Sequence, residues 1–362
     1  MKKYIVSTVS LAFCSIIAFY SVKSFYKSEP PYKLNNGFTL VCDNSCTNET
    51  FEITETEAEH LSHYHEEDVL AAKDAISNKI NMHEYTITSE TGFDIPLTYF
   101  DRNSSKLLVV GPGFQNNRQM FYFVARLFNE YDVVVFDYRW HELKQFILQR
   151  STLMHPINEL LLKEEEEIID VVRHMKQKKQ YDTIVGHGIC YSTYTLLAAQ
   201  DKAQQQREKL FDKLILDSTF YSIPEMVRKI INDPWLIDEP QVNHTSSWFK
   251  AFVKYTGLEL LIVSLTKLMG YTSVEPLVSR IVDTPILFIH GKEDVLIPVE
   301  DQFLNIWENA DHTQKYALFT PFAHVKNMRN RGVFKCMCES FINTDNTDNF
   351  IAEIHEKMQE CC

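Results

Sequence analysis

Residues 182–194 read DTIVGHGICYSTY: a β-branched run, two glycines around a histidine, a thiol, and then the start of a helical period. A strand that ends in a tight glycine turn and feeds a helix can present one side chain at a sheet edge, with backbone N–H groups aimed at a developing oxyanion. A second turn of this type is VVGPGFQNN (109–117), where Gly111, Pro112 and Gly113 follow an apolar strand and Phe114 would offer its N–H. Outward from these two turns, the chain from about residue 84 alternates short β-branched runs with helical periods, the pattern of an α/β protein with a mostly parallel sheet flanked by helices. The strand candidates are HEYTITS, IPLTYFDR, KLLVVGPG, DVVVFDYR, DTIVGHG, KLILDST, PILFIHG and KYALFTP. Helical periods lie between them, for example over 120–129 and 159–176. The second begins with Glu164, Glu165, Glu166 and Glu167, which read as a solvated helix face.

One connection is too long for a simple crossover. Residues 222–281 contain Trp235, Trp248, Phe249, Phe252 and the apolar stretch LELLIVSLTKLMGY, and read as a helical cap over the carboxyl edge of the sheet, where ligands of such sheets bind. Before the sheet, residues 1–28 hold an apolar run (4–22) preceded by Lys2 and Lys3 and followed by no small-x-small cleavage site. That layout predicts an uncleaved single-pass anchor and places the chain at a membrane, with the folded part exported. Residues 29–83 read as a polar stalk with one packing helix capped by Thr54, residues 84–343 as the main domain, and residues 344–362 as a C-terminal helix or tail.

A net charge of −13 argues against nucleic acid as a partner, since a phosphate backbone is held by clustered Lys and Arg. Eight cysteines fit an exported chain, and Cys42 and Cys46 are close enough for a small disulfide loop. His60, His63 and His65 fall on different helical faces, and the pairs Cys336/Cys338 and Cys361/Cys362 lack a second ligand set, so no metal site and no cofactor is expected; thiols are the simpler reading of those pairs.

In chain order, these pieces resemble the α/β-hydrolase superfamily over about residues 84–343. Asp137, Tyr138 and Arg139 are similar to the family's "Asp-Tyr-Arg". LDSTFYSIPEMV resembles the "Glu-Asn-Thr-Phe-x-Ser-Ile-Pro" stretch of membrane-tethered members of the alpha/beta-hydrolase-domain group. PILFIHGKEDVLIP resembles the acid-bearing strand and loop, which implies Asp294 as the triad acid, and TPFAHV implies His324 as the triad histidine. Trp140 and His141 depart from the family's Arg-Gly at that point.

The family's nucleophile turn reads Gly-x-Ser-x-Gly, and two registers compete for it here. Direct alignment on Gly186, His187 and Gly188 puts Gly188 where the nucleophile would stand, and the smooth run of the strand into these residues favours it. A shift of two residues gives Gly188, Ile189, Cys190, Tyr191 and Ser192, like the cysteine elbows of dienelactone-hydrolase relatives, with Ser192 as a further hydroxyl in the same turn. A thiol at a helix N-terminus and beside an imidazole has a lowered pKa and is a competent nucleophile. Under the second register Cys190, His324 and Asp294 form a triad, with the N–H groups of Phe114 and Tyr191 as oxyanion donors. The reaction is then hydrolysis of a small or lipid-like ester, thioester or amide. Under the first register the chain is a non-catalytic pseudo-hydrolase that binds an apolar or lipid-like ligand, and a docking role for the acidic helix is a weaker third reading.

Overall fold

A computed structural model describes residues 38–42, 49–51, 81–90, 92–113, 118–138, 164–232, 264, 271, 273–324, 327, 331–344 and 350. The apolar run 4–22, the histidines at 60, 63 and 65, Phe114, Arg139, Trp140, His141, Cys46, the last two cysteines and most of the expected cap lie outside them. No helix among the described residues is long and apolar enough to cross a membrane.

The strands are β1 (Phe38–Cys42), β2 (Glu49–Phe51), β3 (Asn81–Thr88), β4 (Asp94–Asp101), β5 (Lys106–Gly111), β6 (Asp132–Phe136), β7 (Thr183–Ile189), β8 (Lys213–Asp217), β9 (Ile286–Gly291) and β10 (Lys315–Thr320). They form one sheet in the order β2-β1-β10-β9-β8-β7-β5-β6-β4-β3. Strands β5 to β10 are mutually parallel and make its centre, while β4 and β3 on one side and β1 and β2 on the other are antiparallel. The eight strand candidates all fall on β3 to β10. The region read as a stalk also supplies β1 and β2, which extend the sheet beyond β10.

The central strands read as unbroken apolar runs because both their faces are covered. Leu107, Leu108, Val109 and Val110 of β5 are fully buried, as are Val133, Val134 and Phe136 of β6. Each such side chain contributes about 1.5–3 kcal/mol relative to exposure. The helices are α1 (Tyr122–Leu127), α2 (Glu164–Lys178), α3 (Tyr191–Gln205), α4 (Ile223–Asn232), α5 (Glu275–Arg280), α6 (Leu304–Asn309) and α7 (Arg331–Asn343).

Adjacent residues of β7 identify the two layers. A Cβ on Gly188 would meet Leu196 and Ser192 of α3, whereas His187 packs against Phe334 of α7, so α3 and α7 cover opposite faces. On the α7 side, Lys213 Nζ donates to the carbonyls of Phe341, Ile342 and Thr344 (2.9, 3.0 and 2.6 Å), where the end of a helix leaves acceptors unfilled.

The acidic start of α2 is not a solvated face. Glu164 and Glu167 are buried, three residues apart on the inward side, and only Glu165 and Glu166 turn outward to pair with Lys202 of α3. The reading of Cys336 and Cys338 as two like thiols is also corrected. Cys336 is disulfide-bonded, and Cys338 is a free thiol buried in α7.

Candidate active site

At the carboxyl end of β7 the chain turns sharply into α3, and the residue at the turn is Cys190. Its backbone sits at φ 52°, ψ −108°. For a residue with a Cβ such a positive φ costs about 1–3 kcal/mol and persists only where the surroundings enforce it. The enforcing contacts are the Cys190 N–H, donated to the Asp217 carbonyl of β8 at 2.8 Å, and the Cys190 carbonyl, which accepts from Thr193 N–H (3.1 Å) and Thr193 Oγ1 (2.6 Å). The thiol is left at the sheet edge with about 9% of the residue exposed.

This corrects the register that put Gly188 at the tip. Gly188 lies within β7, paired with Gly111 of β5 and Leu216 of β8. It is glycine because the first turn of α3 crosses it: a Cβ there would lie 2.9 Å from the Ser192 carbonyl and 2.8 Å from Leu196. Gly186 is farther back in the strand and is not part of the turn; a Cβ there would meet Leu214 and Phe211. Ser192 is fully buried, and its Oγ accepts from Ile189 N–H (2.7 Å) and donates to the Gly111 carbonyl (2.6 Å). It therefore ties the start of the Gly-Pro-Gly loop to the cysteine turn. The two positions are matched, because a Cβ on Gly111 would come within 2.6 Å of the Ser192 Cβ.

The far end of that loop is held by Asp137, just beyond β6. Its Oδ1 accepts from the Arg118 N–H at 2.6 Å, and its Oδ2 pairs with the Arg118 guanidinium. Phe114, the expected oxyanion donor on this loop, lies outside the described residues. Tyr191 opens α3, so its N–H belongs to a first turn that has no intrahelical acceptor. Its ring packs against two other tyrosines: Oη is 3.1 Å from Tyr271 Oη, and the ring stands edge-on to Tyr138.

The acid and the histidine follow the ends of β9 and β10. After β9, Gly291 begins a tight turn closed by Asp294 N–H donating to the Gly291 carbonyl (3.2 Å). Asp294 Oδ1 accepts from Ile297 N–H at 2.7 Å and Oδ2 accepts from His324 Nδ1 at 2.7 Å. Gly291 permits this meeting, since a Cβ there would lie 2.1 Å from the Phe322 carbonyl of the histidine loop. With Nδ1 committed to Asp294, the His324 ring also has the Cys190 side chain as an electrostatic neighbour. Burial opposes charge on this imidazole, but the Asp294 carboxylate and the Cys190 sulfur facing it hold its pKa well above the ordinary value. The structure thus brings Cys190, His324 and Asp294 together, with the ring hydrogen-bonded to Asp294 and the thiol beside it.

A second buried carboxylate lies beside this group. Asp217 ends β8, and its Oδ1 accepts from Asn327 Nδ2 (2.5 Å) and Ser218 Oγ (2.9 Å). Its Oδ2 has no hydrogen-bond partner among the described residues. Burial pushes the carboxyl up to about 6, against the pull of those two donors. Sequence reasoning gave no role to Asp217, although it lies within the quoted LDSTFYSIPEMV, nor to Asn327, three residues after the candidate histidine. An amide three residues after a candidate histidine was the signal available.

No protein-family model and no curated protein matches the chain. Its strand order from β3 to β10 and the chemistry of its strand ends define a hydrolase-fold protein: the chain has the α/β-hydrolase fold. Among solved structures it is similar to an esterase of Pyrococcus furiosus, at 16% identity and a TM-score of 0.53, with 74% of this chain and 94% of that chain covered. A second crystal form of that esterase gives 17% identity and a TM-score of 0.54 over 73% of this chain and 91% of that one. An alpha/beta hydrolase from Penicillium is 14% identical, with a TM-score of 0.48 over 76% of this chain and 99% of that one. At such identities the likeness to the Pyrococcus furiosus esterase establishes the fold alone.

Proposed function

We propose that this chain is an acyl hydrolase with a thiol nucleophile, acting on an ester, thioester or amide of a small or lipid-like acyl group and held at a membrane by residues 4–22. The observation that carries the reading is a cysteine held at positive φ on a strand-to-helix turn, beside a histidine that is itself hydrogen-bonded to a buried aspartate. The Cys190 sulfur adds to the acyl carbon, and the bond to the leaving group breaks as His324 gives that group its proton. Water, giving a proton to His324, then adds to the thioester carbon, and the acid departs as the sulfur is released. Asp294 fixes the imidazole with Nδ1 protonated and stabilises its charged form. The N–H of Tyr191, in the first turn of α3, is suited to the oxyanion, with Phe114 the second donor expected from the sequence, and loss of one such donor typically costs about 100-fold or more in rate. The non-catalytic reading needs Gly188 at the tip and has no such geometry to support it.

The experiment is turnover of p-nitrophenyl butyrate and of a butyryl thioester by the purified chain. Cys190→Ala is expected to lower kcat by about 1,000-fold or more. Equal rates for the two proteins would contradict the reading. The anchor is supported by the apolar run and by the disulfide at Cys336, which suits an oxidising compartment. It predicts that the full-length chain stays with membranes through carbonate extraction, and recovery of that chain in the soluble fraction would count against it.

A further inference from the structure

Resting on the acyl-hydrolase reading, we propose that Asp217 and Asn327 are positioning residues that set the distance between His324 and Cys190. Asp217 is hydrogen-bonded to one partner of that pair and to a residue three positions after the other. Its backbone carbonyl accepts the Cys190 N–H at 2.8 Å, and its carboxylate accepts from Asn327 Nδ2 at 2.5 Å, on the loop that carries His324. The other side of the Asn327 amide accepts from Thr320 Oγ1, the last residue of β10, so one side chain spans from β10 to β8 across the base of the loop. Asp217, Asn327 and Thr320 are all buried, where an amide bridge is rigid and shielded from competing water.

His324 therefore lies between two fixed points. Upstream, the Phe322 carbonyl accepts from Glu293 N–H (3.1 Å), and the Thr320 carbonyl accepts from Lys292 N–H (2.8 Å). Downstream, Asn327 is held by Asp217, with Ser218 Oγ at 3.5 Å. Ser218 takes φ 58°, and its hydroxyl turns back onto Asp217 Oδ1, completing the seat for the amide. The Asp217 carboxyl does not pair with the histidine; that place belongs to Asp294. Its electrostatic neighbours are His324 and Asp294 from the two loops and Cys338 from α7. Keeping a buried carboxylate with an undonated oxygen costs stability, and a bridge between nucleophile and base gives that cost a function.

The test is iodoacetamide labelling of Cys190 in the full-length chain, read on its own peptide by mass spectrometry. The ratio of the rate at about pH 6.5 to that at about pH 10 reports the thiolate that His324 sustains near neutrality. A purely structural loosening would raise labelling at both pH values. Asn327→Ala is expected to lower the ratio about tenfold, as a one-unit shift does, toward that of His324→Ala. Asp217→Asn keeps an oxygen acceptor for the Asn327 amide and is expected to stay within about threefold of the unaltered chain. An unchanged ratio in Asn327→Ala overturns the bridge. A loss in Asp217→Asn equal to that in Asn327→Ala overturns the positioning role in favour of a charge effect. If Asn327→Ala does not fold, Thr320→Val removes only the hydroxyl behind the amide; a fall of about threefold supports the bridge, and no fall overturns it. If the unaltered chain already matches His324→Ala, the cysteine–histidine pair itself is absent, and the acyl-hydrolase reading falls together with the bridge.

Discussion

The ends of β8 and β9 carry two buried aspartates, one strand apart, and they meet two side chains of a single loop. Asp294 receives His324, and Asp217 receives Asn327. Asp294 has donors on both oxygens, one of them a ring able to carry charge. Among the described residues Asp217 has only neutral donors, all on one oxygen, and burial raises its carboxyl to about 6. Similar strand-end geometry thus yields a carboxylate that holds an imidazole in one case and a seat for an amide in the other. The difference comes from the partner that the loop supplies.

The largest expected effect separates the two roles. Asp294→Asn leaves the shape but removes the preference for an Nδ1-protonated ring, and should lower the turnover of p-nitrophenyl butyrate about 1,000- to 10,000-fold. A loss below about tenfold would remove Asp294 from the group of three. Next is Gly291→Ala, whose methyl would lie 2.1 Å from the Phe322 carbonyl and force the histidine loop off the Asp294 turn. We expect a loss of about 2–4 kcal/mol in urea unfolding, and an unchanged midpoint would mean that the two loops do not meet as described.

For Asp217→Asn the effect is on stability and depends on pH. The folded carboxyl titrates near 6 against 3.8 for the ordinary group, so between these values the folded state holds a proton that the unfolded chain has released. Stability from this site is therefore fully present below about pH 4 and is lost as pH rises through 6. Relative to the unaltered chain, Asp217→Asn should gain about 1–3 kcal/mol between pH 4 and pH 8 in urea titrations. A gain that does not change with pH would mean that the Asp217 carboxyl is not raised. The smallest effect is that of Lys202→Ala, which removes the pairing to Glu165 and Glu166 on a partly exposed helix pair; it should cost less than about 1 kcal/mol in the same titration.

Much of the sheet was legible because parallel strands covered on both faces are written as apolar runs, and β5, β6 and β9 are plain examples. The short edge strands β1 and β2 were not legible, since β1 is fixed by pairing with β10, far away in the sequence. The α2 glutamates misled because four acids in a row carry no sign of which two turn inward. Asp294 and His324 were reached through the family resemblance of the stretches that carry them, PILFIHGKEDVLIP and TPFAHV. The cysteine turn was ambiguous for a steric reason: glycines at 186 and 188 look like the turn, yet they serve packing against Leu214, Phe211 and α3, while the strained residue bears a side chain. Asn327 stayed hidden because its partner lies on another strand and is reached only once the loop closes.

The most direct test of the central claim, that Cys190 is the nucleophile, is to trap the acyl-enzyme. The full-length chain, mixed with a stoichiometric amount of p-nitrophenyl butyrate and quenched in acid, should release a burst of nitrophenol near one equivalent. The peptide bearing Cys190 should then carry one butyryl group that neutral hydroxylamine removes, and Cys190→Ala should show neither the burst nor the adduct. A butyryl group on Ser192 or on any other residue, or steady turnover that persists in Cys190→Ala, would contradict it.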